Sequence, residues 1–294
     1  MFITGIADEA GSLIEDQIRA HKLLGWPKME IRAVEIPGYP TANLHDIPEE
    51  AFTQFERTVK DAGMEVFCFS SAVANWGKKI DEPFDNSLEE ARRAIARMKR
   101  LGTQHIRIMS FAVRQDAEDQ MVAERIRRLR VLVEMFTGEG LVALHENCMN
   151  YGGMGWPFTL ELLSEVPGLK LVFDTGNPVF ADDRSKPQPW PKQSAWEFYE
   201  HVRDHIAFVH IKDGVWNNEL RKPEFCFPGK GEGDVERIIA DLAARGYDGG
   251  FSIEPHLALV HHDPTAGAVN VSRFESYIEY GRALERLVGK FYKC

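Results

Sequence analysis

Short apolar runs alternate with longer segments of helical period from one end of the sequence to the other, and eight such pairs can be counted. This order is the one a parallel sheet with crossover helices requires. The strand candidates are residues 2–7, 32–36, 64–69, 105–110, 141–146, 170–174, 206–211 and 250–254, rich in Val, Ile, Leu and Phe as strands covered on both faces should be. Helical patterns occupy residues 13–24, 48–62, 87–101, 121–137, 157–165, 194–204, 234–245 and 273–288. The same count could be drawn as an open doubly wound sheet, but no GxGxxG follows the first strand, and 294 residues suit one barrel. The expected fold is therefore α/β, a single (β/α)₈ TIM barrel domain over residues 1–294.

Local signals agree with this division. Ser87 is the expected N-cap of the third helix, which carries acidic residues early, Lys99 and Arg100 late, and Gly102 after its end, all in the sense the helix dipole favours. Gly63 and Gly246 are expected to close their helices in the same way. Two longer non-periodic stretches, residues 175–193 with four prolines and residues 213–233, each follow a strand. In a barrel they belong on the face that carries the chemistry.

Charge and composition exclude some roles. Lys and Arg number 35 against 45 Asp and Glu, which disfavours a nucleic-acid partner. Cys68, Cys148, Cys226 and Cys294 are scattered and form no CxxC pair, so reduced thiols are expected. The N-terminus shows no basic region followed by a long apolar stretch, and no segment approaches the roughly 18 apolar residues of a membrane span. Cytoplasmic residence without a membrane partner is the default expectation, and a homo-oligomer is compatible with the sequence.

The last four strand candidates end on residues able to bind metal: Glu146, Asp174, His210 and Glu254. A carboxylate at the end of an apolar strand is costly to desolvate unless it is paired or bound to a cation, so four such groups on neighbouring strands call for a shared partner. Taken singly, Asp174 is better explained as a helix cap or loop residue; the set of four is not. Three carboxylates and one imidazole are a mostly hard donor set, which suits one Mn²⁺, with Mg²⁺, Co²⁺ or Zn²⁺ compatible. His145 should face away from Glu146 by strand alternation, and His261 and His262 read as solvated loop residues.

At these residues the chain resembles the xylose isomerase-like barrels, a family of sugar isomerases, ketose 3-epimerases, inosose dehydratases and the endonuclease IV group. The resemblance is carried by HEN at 145–147, FDTGN at 173–177, VHIKD at 209–213, PGKGEGD at 228–234 and YDGGFSIEP at 247–255. It implies that Glu146, Asp174, His210 and Glu254 hold the catalytic metal and that Glu146 and Glu254 act as acid and base. Two positions depart from the family pattern: Cys148 and Asn177 stand where many members carry histidines that contact substrate or, in the nucleases, further metals. The departure speaks against a multi-zinc nuclease and leaves Asn177 as a candidate substrate contact.

The expected chemistry is proton transfer next to a carbonyl through a metal-bound enediolate, with the two glutamates as acid and base. Return of the proton to the opposite face of one carbon gives an epimer, and transfer to the neighbouring carbon an isomer. Strand parity adds Lys212 and His256 as substrate-binding candidates, against a salt bridge as the alternative for Lys212. Glu35 is a further candidate, set against a buried carboxylate paired with an internal base. Trp76, Trp156, Trp190 and Trp216 follow strands, where an indole can stack on a sugar, although packing explains each one alone. The glycine-rich stretch with Lys230 fits either a phosphate cradle or a plain turn. A metal-dependent isomerase acting on a sugar or polyol is the first expectation. An inosose-dehydratase-like lyase is the alternative, with a nuclease or a non-catalytic sugar binder behind both.

Overall fold

The computed structural model describes residues 1–258 and 272–292, so His261 and His262 lie outside the described residues. Eight parallel strands surround a common interior: β1 (Phe2–Gly5), β2 (Lys28–Ile31), β3 (Glu65–Ser70), β4 (His105–Ile108), β5 (Val142–Glu146), β6 (Lys170–Asp174), β7 (Ile206–Ile211) and β8 (Gly250–Ile253). The sheet order is β1-β8-β7-β6-β5-β4-β3-β2. Between β1 and β2 the ring is closed by a parallel bridge from Ile6 to Glu30 and by the Thr4 hydroxyl, which donates to the Lys28 carbonyl at 2.7 Å. The fold is thus the expected (β/α)₈ barrel.

Among the described residues eight helices cover the outside: α1 (Ile14–Leu24), α2 (Glu49–Asp61), α3 (Asp85–Leu101), α4 (Val122–Thr137), α5 (Trp156–Glu165), α6 (Ala195–Val202), α7 (Val235–Ala244) and α8 (Arg273–Val288). Among the described residues no helix is long and apolar enough to cross a membrane. The stretch after β6 opens with a short helical turn, Asn177–Phe180, and the stretch after β7 forms a hairpin of Gly214–Asn217 with Lys222–Phe225.

Two expectations need correction. The second barrel strand is Lys28–Ile31 and not residues 32–36. Helix α1 ends at Gly25, whose φ of 75° is the left-handed conformation that glycine adopts without penalty, and the chain turns into the sheet directly after Pro27. The more β-like residues that follow lie past the barrel: Ala33–Val34 pair antiparallel with Ala42–Asn43 instead. Helix α3 begins at Asp85, so Ser87 is a buried residue inside its first turn and not a cap, while Gly102 does close the helix at φ 71°.

Period-two alternation separates two environments. Side chains such as Phe173, Val209 and Phe251 point outward into the layer shared with the helices, with Tyr199, Ile239 and Tyr280. Cys68, Leu144, Val172 and Phe208 point inward and plug one end of the barrel, joined by Phe2, Phe67 and Val142. Two residues further along each strand, on the same inward face, stand Ser70, Glu146, Asp174 and His210. The apolar plug thereby fixes which side chains reach the open end, because a slip of one residue would exchange the two faces.

Candidate metal centre

Glu146, Asp174, His210 and Glu254 each present a ligand atom, and these atoms all lie within 4.8 Å of one another. All four residues are at most 4% exposed. Glu146 and Asp174 each have one oxygen held by strong protein donors, and Glu254 has both. Glu146 Oε2 accepts from the Arg107 guanidinium at 2.9 Å, while Oε1 faces His210 Nδ1 at 3.3 Å. Asp174 Oδ1 accepts from the backbone N–H groups of Gly176 and Asn177 at 2.9 and 2.6 Å. Its Oδ2 has no hydrogen-bond partner and sees the Lys212 ammonium at 3.3 Å. Glu254 Oε1 accepts from Arg32 and Oε2 from Lys212, both at 2.6 Å.

The electrostatics follow from this crowding. Burial raises the Glu146 carboxyl, but Arg107 and His210 outweigh it and hold the group down to about 2. Glu254 is held well below its ordinary value against burial by Lys212, His256 and Arg32. Asp174 is pushed up to about 6 because burial outweighs the help of Lys212, whose short contact goes to Glu254, and because Glu254 and Glu146 crowd it. His210 rises to about 10: burial opposes its charge, and Glu30 and Glu146 override burial. A buried oxygen without a donor, beside two more carboxylates and an imidazole, fits a divalent cation held by Glu146, Asp174, His210 and Glu254.

Around this set the structure places the other candidates differently. Lys212, Asn177 and His256 line the mouth together with Arg32, Trp76, Arg107, Met109, Cys148 and Met149. The Asn177 amide lies 3.4 Å from Glu146 Oε1, and His256 Nδ1 lies 3.1 Å from Glu9 Oε1. The salt-bridge reading of Lys212 also holds, since it contacts Glu254 and Asp174. Glu35 stands apart: it sits in the loop after β2 and accepts from Ser12 at 2.8 Å and from Thr41 at 3.3 Å. Among the described residues no Arg, Lys or His forms an ion pair with it.

Of the four tryptophans, Trp76 borders the mouth. Trp156 stacks on His201, and Trp190 and Trp216 carry Arg184 and Lys192 over their faces. His145 turns away from the site, as alternation requires, with its Nε2 3.1 Å from the Ser110 hydroxyl and 3.2 Å from Asn150 Oδ1.

The glycine-rich stretch is a turn whose N–H groups are already used. Asp213 Oδ2 accepts from Gly229, Lys230 and Gly231 at 2.8 to 3.0 Å, and Oδ1 accepts from Gly214 and Gly233, both at 2.9 Å. A Cβ on Gly231 would lie 2.5 Å from Asp213 Oδ1, so the close approach requires glycine there. The protein's own carboxylate takes the place a phosphate would need.

Three buried residues escape the sequence reading: Glu30, Arg32 and Arg107. Glu30 lies on the strand whose position was misjudged, and Arg32 follows directly after its end, two residues on. Their signal was the entry into the sheet immediately after Gly25 and Pro27. Arg107 is a guanidinium in the middle of an apolar strand, and such a residue must find an internal partner.

The sequence profile described as xylose isomerase-like TIM barrel matches residues 27–274. The chain belongs to the xylose isomerase-like TIM barrel family. No curated protein matches it. Solved structures of the same fold include a D-psicose 3-epimerase from Clostridium cellulolyticum H10 solved with D-tagatose, at 14% identity and a TM-score of 0.68, with 100% of each chain covered. A probable 3-DHS dehydratase from Bacillus anthracis is 16% identical with a TM-score of 0.67, covering 97% of this chain and 99% of that one. A xylose isomerase-like TIM barrel/4-hydroxyphenylpyruvate dioxygenase fusion protein is 21% identical with a TM-score of 0.67, covering 99% of this chain; this chain spans 43% of the fusion's length. The barrel fold is thus shared with an epimerase and with a probable dehydratase.

Proposed function

We propose that this barrel is a divalent-metal-dependent sugar isomerase, of the ketose 3-epimerase or aldose–ketose type, acting on a keto sugar or related polyol. The observation that carries the reading is the buried convergence of Glu146, Asp174, His210 and Glu254 at the open end of the barrel. Mn²⁺ is the ion that this donor set suits best. A divalent ion held there would supply Lewis-acid stabilisation of the negative charge that develops on substrate oxygens when a neighbouring C–H proton leaves.

Glu146 ends β5 and Glu254 directly follows β8, the outer strands of a four-strand arc, and so they address a substrate from two sides. Arg107 holds one ionised, and Lys212 with Arg32 the other, so each can accept a proton on the face it meets. Removal on one side and return from the other gives an epimer; return to the adjacent carbon gives an isomer. Asn177, Lys212 and His256 are the contacts for substrate hydroxyls, and Trp76 and Met149 offer apolar wall to ring carbons.

A lyase reading rests on His256, which is buried in the same mouth 3.7 Å from Glu254 and could protonate a departing β-hydroxyl. Incubation of the Mn²⁺-supplemented protein with keto sugars and keto-inositols in D₂O separates the two. Deuterium at carbon without loss of water supports the isomerase, and an enone product supports the lyase. Absence of exchange and of metal uptake by the purified protein would remove both.

A further inference from the structure

We infer that Glu30, which no motif of the metal set contains, is a positioning residue that fixes the ring and tautomer of His210; the inference rests on the metal reading above. Glu30 lies on β2 and His210 on β7, and the imidazole reaches between them across the barrel interior. Glu30 Oε1 meets His210 Nε2 at 3.0 Å and also accepts from the Ser70 hydroxyl, while Oε2 accepts from the Ser252 hydroxyl at 2.6 Å. Glu30 and His210 are each 0% exposed. Among the described residues the ion-pair partner of Glu30 is His210.

A carboxylate is an acceptor only, and here each of its oxygens already accepts from a serine hydroxyl. The ring nitrogen that meets Glu30 must therefore carry a proton, and the neutral ring then has its lone pair on Nδ1. Nδ1 is the nitrogen that faces Glu146 Oε1, on the side where the four ligand atoms converge. Carrying a buried carboxylate into the barrel is unfavourable by itself; two serine hydroxyls hold it in place and its third polar contact is the His210 imidazole. A hydrogen-bonded second nitrogen is how proteins orient a metal-binding histidine and raise its basicity, and losing that partner typically weakens metal affinity by about 10- to 100-fold.

The test compares metal-free full-length wild type with Glu30→Gln and Glu30→Asp. The first removes the charge at constant shape, and the second withdraws the carboxylate by one methylene. Mn²⁺ affinity is read from the free-ion EPR signal, and the His210 tautomer from long-range ¹H–¹⁵N spectra of the Mg²⁺-loaded protein. The expected result is a Kd raised by about 10- to 100-fold in both variants and loss of the single Nε2–H tautomer, with the circular dichroism of the fold retained. A folded variant with wild-type Kd and an unchanged tautomer overturns the inference, even if its melting temperature falls.

Should neither Glu30 variant fold, Ser252→Ala carries the test, because it removes one anchor of the carboxylate without removing charge. There a raised Kd supports the positioning role, and an unchanged Kd overturns it. A wild type that takes up no Mn²⁺ in the same titration defeats the metal reading itself, which keeps the two failures distinct.

Discussion

The Asn147 side chain grips the backbone of Asp174 from both sides: Oδ1 accepts from the Asp174 N–H at 2.7 Å, and Nδ2 donates to its carbonyl at 3.0 Å. Asn147 is 2% exposed, so neither bond can be replaced by bulk water. The pair sets the height at which Asp174 leaves β6, and with it the direction of Oδ2. Asn147→Ala should destabilise the fold by about 1–3 kcal/mol, the usual consequence of stranding buried backbone groups. It should also weaken Mn²⁺ binding, because the carboxylate loses its fixed origin. Urea unfolding and a metal titration on the same preparation check both; unchanged metal affinity in a destabilised variant would confine Asn147 to a structural role.

Glu146→Gln and Glu254→Gln keep shape but remove the base. Each should lower solvent-proton exchange into a bound keto sugar by about 10²- to 10⁴-fold, the range a positioned acid or base contributes. Binding of the sugar, measured by calorimetry with excess metal present, should remain detectable. Equal exchange rates in wild type and either variant would exclude that glutamate from the proton path.

Asp213 predicts a different outcome, because its carboxylate organises the turn before α7 and not the metal. Asn in its place presents an NH₂ group to some of the five backbone donors it now satisfies. Asp213→Asn should therefore lose about 3 kcal/mol of stability, as for charge-assisted bonds broken in a buried place. Inorganic phosphate should not stabilise the wild type, since the N–H groups are taken. Phosphate-dependent stabilisation of the wild type at this loop would contradict the assignment.

Most of the metal set could be read from the sequence because each member sits two residues beyond an inward apolar one. Leu144 precedes Glu146, Val172 precedes Asp174 and Phe208 precedes His210, so strand ends and strand parity coincide there. On β2 the two signals conflict. Residues 32–36 look more like a strand than Lys28–Ile31, yet the latter pairs with β3, and the choice is made by where α1 stops and not by β propensity. Misplacing that strand by four residues hid Glu30 and Arg32 and brought Glu35 forward, a residue that bonds to Ser12 and Thr41 in a loop. Arg107 was missed for another reason: its partners, Glu146 and the Ser71 carbonyl, are 39 and 36 residues away, and spacing alone does not connect them.

Acid should destabilise the barrel through His21, which is not part of the metal set. Its ring is buried on α1, Nδ1–H donates to the Gln17 carbonyl at 2.9 Å, and the Tyr277 hydroxyl lies 3.3 Å from Nε2. Burial lowers its pKa from 6.5 to about 4. Between those values the unfolded chain binds the proton and the folded chain does not, so stability is full above pH 6.5 and falls as the pH drops towards 4. The loss by pH 4.5 should be about 2–3 kcal/mol from this residue. His21→Asn keeps a donor for the Gln17 carbonyl but cannot titrate. Its baseline stability should be lower, since the ring packs near Trp26 and Tyr277, and its decline between pH 7.5 and 4.5 should be shallower by that amount. Denaturant unfolding of both proteins at several pH values decides the matter, and parallel curves would show that His21 is not the acid-sensitive group.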